Sequence, residues 1–199
     1  MKFSFLLMLA ISMPIIFEIH YILQLWLGDT VPENTAIFTI IVLLNGIFQT
    51  WHTGLLMPYH GIGKIKKGNI FGGSLMILSL PISYVVLKFG CPAWSVLAVI
   101  LIVNIIVQTI VLLFVRHYVR FSIIHAIKKV YLPSITIAVL SLPVPFLIVT
   151  IMQTSFQRLM LTTFSYEILL AFLVWIIALD SFHRDRIKGY CNKYIKRKT

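Results

Sequence analysis

Six long apolar stretches, separated by short polar ones, constrain the fold of this 199-residue chain more than any other feature. They cover residues 3–25, 35–57, 70–87, 93–115, 130–151 and 159–179. An α-helix rises about 1.5 Å per residue, so about 20 apolar residues cross the roughly 30 Å of bilayer hydrocarbon. Charged residues make up 12% of the chain, about half the share typical of soluble domains. The sequence therefore predicts an all-α, polytopic bundle of about six membrane-spanning helices.

Two of the six stretches differ from a simple spanning segment. The first follows Met1 and Lys2 as the core of a signal peptide would, but residues 10–12 form a poor cleavage site and the apolar run continues to Trp26. We therefore expect a retained span. The third is the weakest, because Gly72, Gly73 and Pro81 interrupt it. Membrane helices tolerate such residues where neighbouring groups satisfy the backbone.

The basic residues predict the orientation of the spans. The chain has 17 Lys and Arg residues and a net charge of +11. If the loops alternate sides, every basic residue except Lys88 and Arg158 falls on one side of the membrane. The positive-inside rule assigns that side to the cytoplasm. We expect a membrane region over residues 1–180, a basic cytoplasmic tail over residues 181–199, and both termini in the cytoplasm. The predicted partner of this charge is the lipid bilayer, not nucleic acid.

The sequence contains no recognisable catalytic or metal-binding pattern. Hydrolase, metalloprotease and phosphate-loop motifs are absent, so we expect no enzyme activity, cofactor or metal. Cys91 and Cys191 lie far apart on opposite predicted sides, which argues against a disulfide.

Two acidic residues lie at predicted membrane depth, Glu18 and Glu167. A charged side chain costs about 2.5–3.5 kcal/mol at the centre of a spanning helix, so such residues are usually functional. Both are candidates for proton coupling. The alternative is a structural role, in which hydrogen bonds to neighbouring helices hold the carboxyl group.

Polar residues also form a stripe in the second stretch. Asn45, Gln49 and His52 are spaced to share one helix face, and Asn104 and Gln108 form a similar pair in the fourth stretch. Such a stripe either lines a cavity for a polar substrate or joins helices by hydrogen bonds worth about 0.6 kcal/mol each. The sequence leaves both interpretations open.

A series of short motifs resembles bacterial polysaccharide flippases of the O-antigen type. The first matching segment begins at Lys2 and ends at Glu33, and it includes the run from Ile22 to Gly28. Further matches occur in the same order along the chain: Gly63-Lys64-Ile65-Lys66, Leu80-Pro81-Ile82-Ser83-Tyr84 with Gly73 and Gly90, Phe121-Ser122, and Ala178-Leu179-Asp180 before the basic tail. The similarity extends from residue 2 to about residue 190.

This resemblance implies membership of the multidrug/oligosaccharidyl-lipid/polysaccharide exporter superfamily, in which two helical lobes surround a central cavity. The substrate would be an undecaprenyl-pyrophosphate-linked repeat unit, moved across the bacterial inner membrane. This chain would supply only the C-terminal part, so we expect a fragment inactive alone that pairs with a missing N-terminal lobe or a split partner. Three residues at the cytoplasmic mouth are candidate contacts for the pyrophosphate, and the alternative is that they are simple orientation signals: Lys64, Lys66 and Lys67.

Two other functions remain open from the sequence. One is a segment of a cation-coupled multidrug extruder, which would carry an acidic ion site in the missing lobe. The other is a membrane enzyme of polysaccharide synthesis, either a polymerase or a sugar transferase. Such an enzyme would need a large loop or a catalytic domain, and every predicted loop is short.

Overall fold

A computed structural model describes residues 2–28, 30–61, 66–119, 124 and 127–179. The side chains of residues 51–61, 67, 114 and 117–119 lie outside this description. The described residues are almost entirely helical and contain no β-strand. The predicted all-α class is therefore confirmed.

The helices match the predicted apolar stretches closely. Their bounds are α1 Lys2–Phe17, α2 Ile19–Leu27, α3 Thr35–Gly61, α4 Lys66–Lys88, α5 Ser95–Val119, α6 Leu132–Ser141, α7 Pro143–Ile151 and α8 Phe156–Leu173. A π-helical turn, Ile127–Tyr131, precedes α6, and a second, Val174–Ala178, extends α8. Pro143 and Pro145 lie in the first turn of α7, where proline is tolerated because those backbone N–H groups have no helical acceptor.

The first predicted span is not one straight helix. α1 and α2 meet at an angle of 77°, and the bend centres on Glu18. Its backbone has φ −107° and ψ 20°, outside the helical region. Its N–H still donates to Pro14 O at 3.1 Å, and its C=O accepts from Ile22 N–H at 2.9 Å, so the bend leaves neither group unsatisfied. The first predicted span, residues 3–25, therefore consists of two helices joined at a bend.

The predicted weak span is, in contrast, a single uninterrupted helix. α4 runs through Gly72, Gly73 and Pro81 without a break. A Cβ atom added at Gly72 would lie 3.4 Å from Val107 Cγ1 of α5. That is close to an ordinary van der Waals contact, so Gly72 packs on α5 without a side chain being sterically excluded there.

Four helical segments in the described part of the chain are long and apolar enough to cross a membrane: Gly68–Lys88, Ser95–Leu113, Ile127–Ile151 and Phe156–Ala178. The bent pair of α1 and α2 makes a fifth if it is counted as one span. α3 has 27 residues, enough for a crossing, but its side chains are described only as far as Thr50. The chain is a multi-pass membrane protein, with four or five spans by this criterion compared with the six predicted.

α1 lies at the centre of the packing. It contacts α3 on one side and α6, α7 and α8 on the other, while α5 packs on α3 and α4 packs on α5. The buried core gathers around α1 and consists of Phe5, Leu6, Leu9, Ile47, Ile137, Tyr166, Leu170 and Ala178. Large apolar side chains of α4 are exposed, among them Ile77 and Leu80 at 70% and 71%. In a membrane such a surface is covered by lipid tails.

Candidate functional site

The first site joins the bend at Glu18 to the start of α8. Arg158, in the first turn of α8, donates from Nη2 to Glu18 Oε2 at 2.7 Å and from Nε to Glu18 Oε1 at 3.0 Å. The planar guanidinium thus meets both carboxylate oxygens, the strongest geometry for such a pair. The side chain of Glu18 is 0% exposed and that of Arg158 is 11% exposed.

Two further groups complete this cluster. Thr162, one turn beyond Arg158, donates from Oγ1 to Glu18 Oε1 at 3.1 Å. Arg158 Nη1 donates to the backbone carbonyl of Met152 at 3.1 Å, in the turn before α8. Ser155 caps α8 by accepting the backbone N–H of Arg158 at 3.2 Å, which fixes the helix start beside the pair. Among the described residues, the donors to the Glu18 carboxylate, Arg158 and Thr162, both belong to α8, so the cluster joins α1 to α8.

Sequence reasoning missed Arg158 as a site residue. It placed Arg158 only among the two basic residues on the otherwise uncharged side. The available signal was this isolated cation together with a membrane-depth acid near the same predicted side. Buried charges are stable only when paired, so a buried Glu18 requires a cation and Arg158 was a candidate for it. Glu18 therefore has a structural role in this cluster, while its proposed proton coupling stays a prediction.

A second contact joins α1 to the opposite end of α8. Lys2 Nζ donates to the backbone carbonyl of Ala178, where the helical extension of α8 ends. α1 and α8 are thus antiparallel, and the first and last described helical residues lie at the same end of the bundle.

The predicted polar stripe on α3 takes part in helix pairing. Asn104 Nδ2 of α5 donates to Asn45 Oδ1 of α3 at 2.9 Å. Asn104 is 5% exposed. This bond matches the second interpretation of the stripe, in which polar side chains join helices. Gln49, one turn further along α3, is exposed, and the side chain of His52 lies outside the described part.

We expect Asn45 and Asn104 to be energetically coupled. In a double-mutant cycle with Asn45→Ala and Asn104→Ala, the coupling free energy should be about 0.6 kcal/mol, the mean for hydrogen bonds between membrane helices. Equilibrium unfolding in mixed detergent micelles measures it. Thr109→Ala is the matched control on α5, because Thr109 is exposed and bonds to its own helix. A cycle of equal size with Thr109 would rule out a specific bond.

The remaining predicted site residues do not gather into one described cluster. Lys66 is exposed at the first residue of α4, Lys64 lies outside the described residues, and so does the side chain of Lys67. Glu167 is partly buried on α8, five residues beyond Thr162, or about 7.5 Å along the helix. It also lies on a different face of α8 from Thr162. Their roles in substrate contact and proton coupling stay predictions.

The described residues include no group of three or more His, Cys, Asp or Glu side chains that could hold a metal ion. Cys91 is free and exposed in the turn after α4, and Cys191 lies outside the described residues. No protein-family model matches the chain, and no curated protein or solved structure is significantly similar to it.

Proposed function

We propose that this chain is the C-terminal segment of a flippase that moves undecaprenyl-pyrophosphate-linked polysaccharide repeat units across the bacterial inner membrane. The observation that carries the proposal is the ordered series of motifs between residue 2 and about residue 190, which resembles that family at matching spacings. A multi-pass bundle with short connections, described at residues 28 and 30–34, 89–94 and 152–155, supports transport over an enzyme of polysaccharide synthesis.

In this proposal the bundle acts as one lobe of a two-lobed transporter. Transporters of this kind alternate access by rocking rigid lobes about a cavity near the bilayer midplane. The contacts of α1 with both ends of α8 support such rigidity, because they hold the central helix at Lys2 and at Glu18. Gln49 and His52 would face the sugar, whereas Asn45 joins α3 to α5 through its bond to Asn104.

At the cytoplasmic mouth, Lys64, Lys66 and Lys67 would attract the pyrophosphate. A lysine ammonium is a compact charge that binds phosphate well. Glu18 and Glu167 are the proposed coupling sites. A cation-coupled drug extruder is the second candidate, and it is favoured by the same two membrane-depth acids. It would not need the three lysines.

Complementation tests the proposed function. In a flippase-deleted strain, we expect this chain to restore surface polysaccharide only when an N-terminal lobe from a flippase is co-expressed. Replacing Lys64, Lys66 and Lys67 together by Gln should abolish that rescue. Replacing Lys128 and Lys129 by Gln, on the same predicted side, is the matched control and should preserve it.

The outcomes separate the claims. Rescue by this chain alone would overturn the fragment part of the proposal. Failure of the co-expressed pair, with both parts present in the membrane, would overturn the flippase assignment. If both lysine variants lost rescue equally, Lys64, Lys66 and Lys67 would act only as orientation signals and would not bind the pyrophosphate.

A further inference from the structure

α2 begins at the bend, beside the first turn of α8. Lys2 and Glu18, at the two ends of α1, contact Ala178 and Arg158, which lie close to the two ends of the apolar segment Phe156–Ala178. That segment has 23 residues and by itself is long enough to cross the bilayer. The 16 residues of α1 rise only about 24 Å, but their two ends are bonded close to the two ends of that longer segment. The helix after Glu18 therefore starts near the second membrane face.

The 77° bend then determines the direction of α2. A helix that leaves a spanning helix at nearly a right angle, at the level of the membrane face, runs along that face. The first turn of α8 holds the bend, because Arg158 and Thr162 both bond to the Glu18 carboxylate. Gly28, with φ +72°, ends α2, and its N–H bonds to Gln24 O.

Most side chains of α2 fall into three groups around the helix. Ile19 and Leu23, four residues apart, are buried against the bundle, at 3% and 5% exposure. His20 and Gln24, also four residues apart, are exposed and polar. Ile22 and Leu25, three residues apart, form an apolar stripe on the side away from His20 and Gln24. Trp26 lies between this stripe and the buried group, in the last turn of α2; Trp26 is 81% exposed and Leu25 is 64% exposed.

This pattern fits a helix that has the bundle on one side, water on a second and lipid on a third. Tryptophan is enriched at the boundary between headgroups and acyl chains, where its ring has an apolar body and a polar N–H. α2 contains no Lys, Arg, Asp or Glu. Its attraction to the membrane therefore comes from apolar burial and not from the charge of anionic lipids.

We propose that α2 is an interfacial helix. It lies in the plane of the membrane face opposite Lys2 and Ala178, with Ile22, Leu25 and Trp26 in the headgroup–acyl boundary and with His20 and Gln24 in water. The occupant of its exposed apolar stripe is lipid. This inference does not depend on the flippase proposal, because it rests on the bend, the two ends of α1 and the exposure of α2.

The depth of Trp26 in the bilayer tests the proposal. The full chain is reconstituted in phosphatidylcholine vesicles with Trp26 as its single tryptophan, after replacement of Trp51, Trp94 and Trp175 by Phe. Quenching is compared between lipids brominated near the headgroup and lipids brominated near the chain end. The reference variant also has Trp26→Phe and carries Phe164→Trp, at an exposed position well inside α8.

We expect the headgroup-proximal bromines to quench Trp26 more strongly and the chain-end bromines to quench the reference tryptophan more strongly. Adding phosphatidylglycerol should leave the depth of Trp26 unchanged. Stronger quenching of Trp26 by the chain-end bromines would show that α2 enters the hydrocarbon, and this would overturn the proposal. So would quenching of Trp26 by iodide in water alone, with no effect of either lipid, and so would a depth that changes with phosphatidylglycerol.

A cysteine pair provides an independent readout in the same vesicles. With Cys91 and Cys191 replaced by Ser, a charged maleimide should label Gln24→Cys at least tenfold faster than Leu25→Cys, from the side of the membrane that α2 faces. Equal slow labelling of the two would show that α2 is inserted across the bilayer. Equal fast labelling would show that it lies off the membrane, and either result contradicts the proposal.

Discussion

Replacing Arg158 by Met is expected to lower the free energy of unfolding by about 3–5 kcal/mol, because it breaks a buried ion pair. The substitution keeps an unbranched apolar chain but removes every guanidinium donor that contacts Glu18. The carboxylate then stays buried with Thr162 as its remaining hydrogen-bond donor among the described contacts. An unpaired buried charge costs far more than a missing exposed one.

The same reasoning predicts recovery in the double variant. Glu18→Gln with Arg158→Met removes both charges, and buried pairs replaced by neutral groups of similar size often lose little stability. We expect the double variant to be more stable than Arg158→Met alone. Lys88→Met is the matched control, since Lys88 is exposed on the same predicted side, and its effect should stay within about 0.5 kcal/mol. Equal losses for Arg158→Met and Lys88→Met would contradict the importance of the pair.

An effect of the same size is expected at Tyr166, which is 0% exposed in the core around α1. Tyr166→Ala should lower the free energy of unfolding by about 3–5 kcal/mol, because truncating a buried aromatic side chain leaves a cavity. Tyr166→Phe keeps the ring and removes only a hydroxyl, whose bond to Ser141 Oγ is long at 3.4 Å. We expect a cost of about 0.6 kcal/mol for that change.

Phe164→Ala is the control for the core prediction. Phe164 lies two residues earlier on the same helix and is 63% exposed to the surroundings of the bundle. Its truncation removes lipid contacts and creates no internal cavity, so the effect should be within about 0.5 kcal/mol. Unfolding of all three variants in mixed micelles, followed by circular dichroism, gives the comparison. If Phe164→Ala lowered the free energy of unfolding as much as Tyr166→Ala, the assignment of Tyr166 to the buried core would be contradicted.

Much of the fold could be predicted from the sequence because hydrocarbon leaves a chain few options. A backbone in lipid must satisfy its own hydrogen bonds, so long apolar runs predict helices almost regardless of their other residues. Even α4 forms as one helix despite Gly72, Gly73 and Pro81.

The features that the sequence did not reveal depend on which helices become neighbours. Glu18 and Arg158 are 140 residues apart, and neither residue alone specifies the other as its partner. The bend at Glu18 could not be predicted either, because the sequence stays mostly apolar through α2. For Asn45 and Asn104, the sequence predicted polar faces on two helices but could not decide whether those faces meet each other or a substrate. The structure joins them with a hydrogen bond.

The central claim is that the apolar helices cross the membrane with the lysine-rich ends on the cytoplasmic side, and labelling of intact bacterial cells tests it most directly. In a Cys191→Ser background, a membrane-impermeant maleimide should label the native Cys91, which is exposed in the turn after α4. In a chain lacking both native cysteines, Lys66→Cys, at the opposite end of α4, should react only after the cells are lysed. Labelling of Lys66→Cys in intact cells, or protection of Cys91, would contradict the proposed orientation and topology.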